Sequence, residues 1–186
     1  MTSQRDLDPM FFGAGSRVCI RSPRRTDMTE FLRVVHESQD FHAPWVSPPS
    51  TPERFVEYVE RAADPAFVAL LLCALPDNRI AGAINLSNIC YGNFCNACMG
   101  YWIGKSDRRS GLMTEGITLA LYHAFNELNL HRVEANVQPD NIASIGLLKR
   151  LGFRLEGQSP RFLRIGGEWK DHDRWAICAE EFGSGK

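Results

Sequence analysis

The feature that most constrains the fold is a basic, glycine-containing loop that leads directly into a helical pattern. Residues 106–125 read SDRRSGLMTEGITLALYHAF, and the segment 113–129 spaces its apolar residues as one face of a helix does. Strand-like segments, residues 97–104 and 131–137, stand on either side. Strands joined by a crossover helix in one sheet run parallel, so we expect a parallel strand pair around this helix.

The remaining segments predict antiparallel strands and further helices around this unit. Strand patterns cover residues 16–21, 66–75, 79–89, 153–156 and 161–178. Helices are expected to begin at a capping box of Asp27 and Glu30, at Thr51, and after Asn141, with the last ending before Gly152. We therefore expect a mixed α/β (α+β) fold with a central, mostly antiparallel sheet and about four helices. One domain is expected over residues 1–186, with residues 1–12 extended or flexible.

Composition limits the classes of partner. The 186 residues carry a net charge of −1, which gives no global attraction to nucleic acid or to an anionic membrane. No apolar run approaches the roughly 20 residues of a membrane helix, and the polar start MTSQRDLDPM does not resemble a signal peptide. We therefore expect a cytoplasmic protein that does not bind nucleic acid directly.

The six cysteines include one C-x-x-C pair, formed by Cys95 and Cys98, with Cys90 upstream. One such pair supplies two ligands, whereas structural zinc sites use four in a recognisable arrangement. The interpretation we favour is that these are small residues in and beside a strand, and we expect no metal.

The loop before the crossover helix has the properties of a phosphate site. A helix N-terminus presents unpaired amides and a partial positive charge. Here Arg108 and Arg109 add positive charge, and Gly111 permits close approach of a bulky anion. The loop matches neither the P-loop motif nor the dinucleotide fingerprint. The alternative is an ordinary solvated basic turn.

Three longer segments carry a resemblance to a known family. They are GYWIGKSDRRSGLMTEG, LNLHRVEANVQPDNIASIGLLKRLGFRLEG and IGGEWKDHDRWAI. Together they resemble the GNAT superfamily of N-acetyltransferases, and within it the RimJ/RimL-like branch that acetylates the N-termini of ribosomal proteins. The family's pyrophosphate loop, Arg/Gln-x-x-Gly-x-Gly/Ala, maps onto Arg108, Gly111 and Met113. Met113 is bulkier than the usual last residue, but its backbone amide can still serve.

The resemblance implies an acetyl-CoA site at about residues 97–157, between two splayed parallel strands. The residues implied in holding acetyl-CoA are Tyr101, Trp102, Ile103, Arg108, Arg109, Ser110, Gly111, Leu112, Met113, Thr114 and Asn141. Backbone groups of the first three would pair with the pantetheine arm. Ser144 would protonate the departing thiolate. The alternatives are core packing of the Tyr101 and Trp102 side chains, a helix-capping role for Asn141 and a small first-turn role for Ser144.

The group that removes a proton from the acceptor amine is harder to identify. Some relatives place a glutamate on the strands after the Gly-Phe pair, where this chain has no carboxylate in residues 161–164. The best substitute is Glu134, whose alternative role is an ion pair with Arg132. His172 is a second candidate, although a histidine between two acids is more often structural. An α-amino group, with a pKa of about 7.7–8.0, needs only modest help.

The expected activity is acetyl transfer from acetyl-CoA to a primary amine by direct attack in a ternary complex. The resemblance implies the N-terminal amine of a protein, such as a ribosomal protein, as acceptor. A small-molecule amine acetyltransferase and a catalytically decayed CoA sensor are the alternatives. Residues 41–49 and 166–173 are expected to wall the acceptor slot. Either a monomer or a homodimer is compatible with the sequence.

Overall fold

The computed structural model describes residues 10–43 and 45–183. Within those ranges, one sheet holds eight strands: β1 (Phe11–Ala14), β2 (Val18–Arg21), β3 (Phe67–Ala74), β4 (Arg79–Cys90), β5 (Asn96–Ile103), β6 (Arg132–Val137), β7 (Arg154–Ile165) and β8 (Glu168–Cys178). Five α-helices accompany it: α1 (Met28–Glu37), α2 (Gln39–His42), α3 (Pro52–Arg61), α4 (Leu112–Tyr122) and α5 (Ile142–Arg150). None of the described helices is long and apolar enough to cross a membrane.

The strand order confirms the expected mixed sheet. It runs β1-β2-β3-β4-β5-β6-β8-β7, and every neighbouring pair is antiparallel except β5 and β6. These two parallel strands are joined by the crossover helix α4, as the helical pattern predicted. They pair only where Asn96–Cys98 meets Arg132–Glu134, and beyond this point they separate. The separation opens a gap in the middle of the sheet.

Strand alternation gives the sheet two faces with separate cores. Val133, Ala135 and Val137 of β6 pack into one core with apolar residues of α4 and α5. The opposite core contains Phe31 of α1, Phe55 of α3 and further residues of the sheet. Strand β3, buried except for the partly exposed Val68, contributes to both faces, which explains its continuous apolar sequence.

The predicted capping box at the start of α1 is wrong. Asp27 holds the Arg21 guanidinium through two hydrogen bonds of 2.8 Å and accepts a third from the backbone N–H of Arg24. Glu30 accepts from the backbone N–H of Ile80 at 2.9 Å. Asp27 therefore caps backwards, onto the N-cap residue of the 3₁₀ turn Arg25–Asp27 that leads into α1, and makes no forward cap bond; Glu30 is engaged by β4. At α3 the predicted cap is present, because Thr51 Oγ1 accepts from the Arg54 amide.

Three other elements differ from their predicted bounds. β7 is one strand over 154–165, with a bulge around Arg161 whose amide donates to Asp171. α4 ends at Tyr122 and continues as a π turn over 123–127. The four-residue α2 lies in and before a segment predicted to be irregular, which raises the helix count from about four to five. Of the expected lead-in, residues 1–9 lie outside the described residues, and Phe11 pairs with Arg21 in β2.

Candidate active site

The candidate site is a cleft of about 1030 Å³ at the gap between β5 and β6. Its walls come from those strands, the loop before α4, one side of α5, and four residues near α2: Phe41, His42, Trp45 and Val46. Of the predicted acceptor walls, the lining includes Phe41, His42, Trp45 and Val46 from 41–49, and only His172 from 166–173.

The gap-facing edge of β5 offers unpaired backbone groups. Gly104 donates its N–H to Ala81 at 2.7 Å, and bonding alternates along an antiparallel pair. The N–H and C=O groups of Tyr101 and Ile103 therefore point away from β4 into the gap, where the Ile103 carbonyl is already bonded to His42 Nε2 and the other three groups are open. Those of Trp102 point toward β4, so Trp102 can contribute its ring but not its backbone. An extended ligand could add to this edge as a further strand.

The loop before α4 is braced from behind. Asp107, buried, receives two hydrogen bonds from the Arg79 guanidinium at 2.6 and 2.7 Å, and this pairing lowers the pKa of its carboxyl group. Ser110 Oγ donates to the Asp107 carbonyl at 2.5 Å, and Arg17 donates to the Ser110 carbonyl at 3.0 Å. These bonds engage the Asp107 and Ser110 carbonyls. In the first turn of α4 the Leu112 N–H donates to Ser110 Oγ at 3.3 Å, and the amides of Met113 and Thr114 are left for an anion.

Two arginines and a left-handed glycine complete the loop. Arg108 and Arg109 line the cleft, are exposed, and make no hydrogen bond to another described side chain. Gly111 is the N-cap residue of α4 with φ +84°, a conformation that favours glycine. The Met113 side chain is buried in the core, so its bulk is accommodated there while its amide stays in the first helical turn.

A pair of hydroxyl groups crosses the gap on the α5 face. Tyr101 and Ser144 are hydrogen-bonded at 2.5 Å, and burial raises the pKa of the Tyr101 hydroxyl to about 12. Tyr101 therefore stays protonated at neutral pH and can share its proton with Ser144. Asn141 accepts the Ser144 N–H at 3.1 Å, so it caps α5 and also lines the cleft. Sequence reasoning missed the hydroxyl pair because its members are 43 residues apart in the chain.

The opposite face of the gap carries Trp102, Asn136 and two buried histidines, His42 and His172. His42 Nε2 is hydrogen-bonded to the Ile103 carbonyl at 2.8 Å, and burial lowers the pKa of its imidazole. Asn136 donates to Cys98 Sγ at 3.1 Å, and its Oδ1 is buried without a partner. His42 carries no local sequence signal, because its role depends on where α2 packs.

Glu134 lies apart from this cleft. It stands opposite Cys98, where β5 and β6 are still paired, and accepts from Arg132 Nε at 2.9 Å. Arg132 also pairs with Glu156, so the carboxylate belongs to an ion-pair network. The structure thus places Glu134 in its alternative role and outside the residues that line the cleft.

The cluster of possible metal ligands in this structure does not involve the C-x-x-C pair Cys95 and Cys98. Among the described residues, one group brings three such ligand atoms within 4.8 Å of one another: His131, Cys178 and Glu180. It includes none of Cys90, Cys95 and Cys98, and it lies outside the cleft lining.

The cleft fits a long ligand with a phosphate-bearing end. It combines a braced helix N-terminus, two uncommitted arginines and an unpaired strand edge. Gly100 and Gly146, both in the lining, have no heavy atom within 4 Å of the position where a Cβ would lie, so space is open on both sides of the gap. These features suit a coenzyme A thioester.

Comparison with known proteins identifies the family. Residues 17–154 match the model of the acetyltransferase (GNAT) domain. The chain belongs to the GNAT acetyltransferase family. A probable N-acetyltransferase, YjcK of Bacillus subtilis (strain 168), is 32% identical over 171 residues, or 88% of this chain and 94% of that protein.

Other proteins similar to this chain include a ribosomal-protein N-acetyltransferase and a RimJ. The ribosomal protein uS5-alanine N-acetyltransferase of Escherichia coli (strain K12) is 38% identical over 112 residues, which cover 60% of this chain and 58% of that enzyme. The solved structure of Mycobacterium smegmatis RimJ in complex with CoA-disulfide is 27% identical, with a TM-score of 0.82 over 93% of this chain and 86% of that one. This GNAT chain is therefore an acetyl-CoA-dependent N-acetyltransferase.

Proposed function

We propose that this enzyme acetylates the N-terminal amine of a protein, such as a ribosomal protein. The observation that carries the proposal is a gap lined from both faces of the sheet, with a phosphate-type loop at one end. One face can hold the thioester arm while the other admits an amine, so donor and acceptor meet in the gap. Direct attack in a ternary complex then needs no covalent enzyme intermediate.

The nature of the acceptor is supported by the relatives. The E. coli relative is named for acetylating the alanine of ribosomal protein uS5, and the M. smegmatis neighbour is a RimJ. A small-molecule acceptor is the second candidate, because an L-methionine sulfoximine/L-methionine sulfone acetyltransferase of Pseudomonas aeruginosa is 34% identical over 67 residues. That match covers 36% of this chain, which favours the protein acceptor.

The roles of the site residues follow from their positions. When bound, acetyl-CoA supplies the activated acetyl group. The N–H groups of Tyr101 and Ile103 would bind the pantetheine arm, and one of them would polarise the thioester carbonyl. Asn141 would hydrogen-bond the cofactor, and Ser144, supported by Tyr101, would protonate the thiolate. The pyrophosphate would be held by Arg108, Arg109, Ser110, Gly111, Leu112, Met113 and Thr114.

The proposal also covers the setting of the enzyme. All six cysteines are free thiols, which is their ordinary state in the cytoplasm, where we place the protein. Both a monomer and a homodimer are compatible with this proposal.

The test is acetyl transfer to a panel of acceptors. Short peptides that differ in their first residue, the same peptides with blocked N-termini, free amino acids and polyamines would each be incubated with acetyl-CoA. We expect turnover of peptides with free N-termini only. Turnover confined to small amines would refute the protein acceptor. Binding of acetyl-CoA with no turnover of any amine would favour the decayed sensor.

A further inference from the structure

His172 is buried in β8 with one ring nitrogen engaged and the other open. The residue is 3% exposed, and its Nδ1 lies 2.9 Å from the backbone carbonyl of Lys170. A carbonyl can only accept, so Nδ1 carries the hydrogen and Nε2 of the neutral ring presents a lone pair. Among the described residues Nε2 has no hydrogen-bond partner, and it is not one of the fully enclosed polar atoms. Because His172 lines the cleft, this lone pair is available there.

The face of β8 that carries His172 is the one opposite α5. Trp175 and Ile177 of β8 pack into the core with α4 and α5, so the alternate residues His172 and Arg174 point to the other face. Asn136, across from Arg174 in β6, shares that face. The Tyr101 and Ser144 hydroxyls approach the gap from the α5 side, so an acceptor of protons and a donor of protons stand on opposite sides of the gap.

The neighbours of His172 hold its ring in place without supplying a rival base. The ring lies edge-on to Phe162, with centroids 6.3 Å apart, and Ser159 is its cross-strand partner in β7. The two adjacent acids point to other groups: Asp171 accepts the Arg161 amide. Asp173 accepts from the side chain of Gln158.

The other groups near the cleft that could accept a proton are ion-paired, enclosed or on the α5 side of the gap. Glu134 and Asp107 are each engaged by an arginine. Asp140 lines the cleft but is exposed and directly precedes α5, which lies on the opposite side of the gap from His172. The free nitrogen of His42, Nδ1, is fully enclosed without a partner, so a substrate cannot reach it in this arrangement.

We propose that Nε2 of His172 accepts the proton of the acceptor amine, an assignment that rests on the proposed function. The amine nitrogen forms a bond to the thioester carbonyl carbon, and the carbon–sulfur bond breaks. One proton passes from the nitrogen to Nε2, and the thiolate takes one from the Ser144 hydroxyl. Water then removes the proton from His172 and restores that of Ser144, so the sum is amine and acetyl thioester giving amide and thiol.

The kinetic test compares His172→Gln with a matched surface variant, His36→Gln. His36 is exposed and bonded to the Ser50 carbonyl, away from the cleft. In single-turnover assays with the preferred peptide, we expect His172→Gln to be slower by roughly 10²- to 10⁴-fold, the usual contribution of a positioned base. Its Kd for acetyl-CoA should stay within about threefold of the wild-type value. The surface variant should match the wild type.

A spectroscopic test keeps the assignment independent of turnover. Long-range ¹H–¹⁵N NMR of the full chain, at a pH where the ring is neutral, should show His172 as the Nδ1–H tautomer with an unprotonated Nε2. An Nε2–H tautomer would overturn the proposal, as would a folded His172→Gln variant that turns over at the wild-type rate. Loss of acetyl-CoA affinity without loss of rate would assign His172 to binding instead. A wild-type enzyme inactive on every amine would defeat the proposed function, while the tautomer would still report on the ring.

Discussion

Two helical glycines offer an internal comparison of folding and cofactor binding. Gly146 lies in α5 at the cleft, and a Cβ added there meets no heavy atom within 4 Å. Gly116 lies in α4 against the sheet, where an added Cβ would stand 2.4 Å from Leu72 Cδ1 and 3.2 Å from Ile84 Cδ1. The same substitution to alanine should therefore have opposite effects on stability.

The magnitudes follow from helix propensity and packing. Replacing glycine by alanine inside a helix gains about 1 kcal/mol. Gly146→Ala should realise that gain and raise Tm by roughly 2–4 °C in a chain of this size. At Gly116 the gain is opposed by overpacking of about 1–3 kcal/mol. Leu72 and Ile84 are fully buried and cannot swing aside, so Gly116→Ala should lose up to about 2 kcal/mol of unfolding free energy.

The affinity for acetyl-CoA should show the reverse pattern: the more stable variant, Gly146→Ala, should bind more weakly, and Gly116→Ala should bind normally. The methyl group of Gly146→Ala enters space that we assign to acetyl-CoA, and a steric cost of about 1–3 kcal/mol corresponds to binding that is roughly 5- to 150-fold weaker. Gly116 does not line the cleft, so the folded Gly116→Ala protein should bind acetyl-CoA as the wild type does.

Thermal unfolding followed by circular dichroism and calorimetric titration with acetyl-CoA would measure both quantities. A Gly146→Ala protein that binds acetyl-CoA with wild-type affinity would refute the passage of the cofactor along α5. A Gly116→Ala protein that melts above the wild type would refute the packing argument.

Three further predictions concern the loop, the proton donor and acid stability. Gly111→Glu should abolish acetyl-CoA binding in a titration, because it sets bulk and negative charge against phosphate. The control is Gly166→Glu, at another positive-φ glycine on the hairpin turn, which should bind normally. Equal affinities would contradict the loop assignment. Ser144→Ala should slow turnover while sparing the Kd for acetyl-CoA, and an undiminished rate would remove Ser144 as the acid. Arg132 lowers the pKa of Glu156 from 4.5 to about 2, so its contribution to stability is complete above about pH 4.5 and is lost as the pH falls toward 2. The stability difference between wild type and Glu156→Gln in urea unfolding should therefore shrink over that window; a constant difference would contradict the pairing.

Local patterns were sufficient for the framework of the fold. The apolar spacing of α4 and the strand patterns on either side predicted the parallel pair β5 and β6, because a crossover helix leaves one arrangement open. Gly152 ends α5 at φ +87°, as its position after the last apolar residue indicated. These signals depend only on residues within one or two turns of each other.

The chemistry of the site was decided by contacts between distant parts of the chain. Sequence alone could not choose between a catalytic and an ion-paired Glu134. The choice depends on which positively charged side chain lies next to Glu134 in the folded protein, and that side chain is Arg132. The hydroxyl bond between Tyr101 and Ser144 required two elements to meet across the gap. The setting of His172 required strand alternation that turns the neighbouring acids away and leaves one imidazole facing the cleft. Periodicity and turn chemistry are local properties, whereas burial, pairing and the direction of a side chain toward a cleft exist only after the sheet has formed.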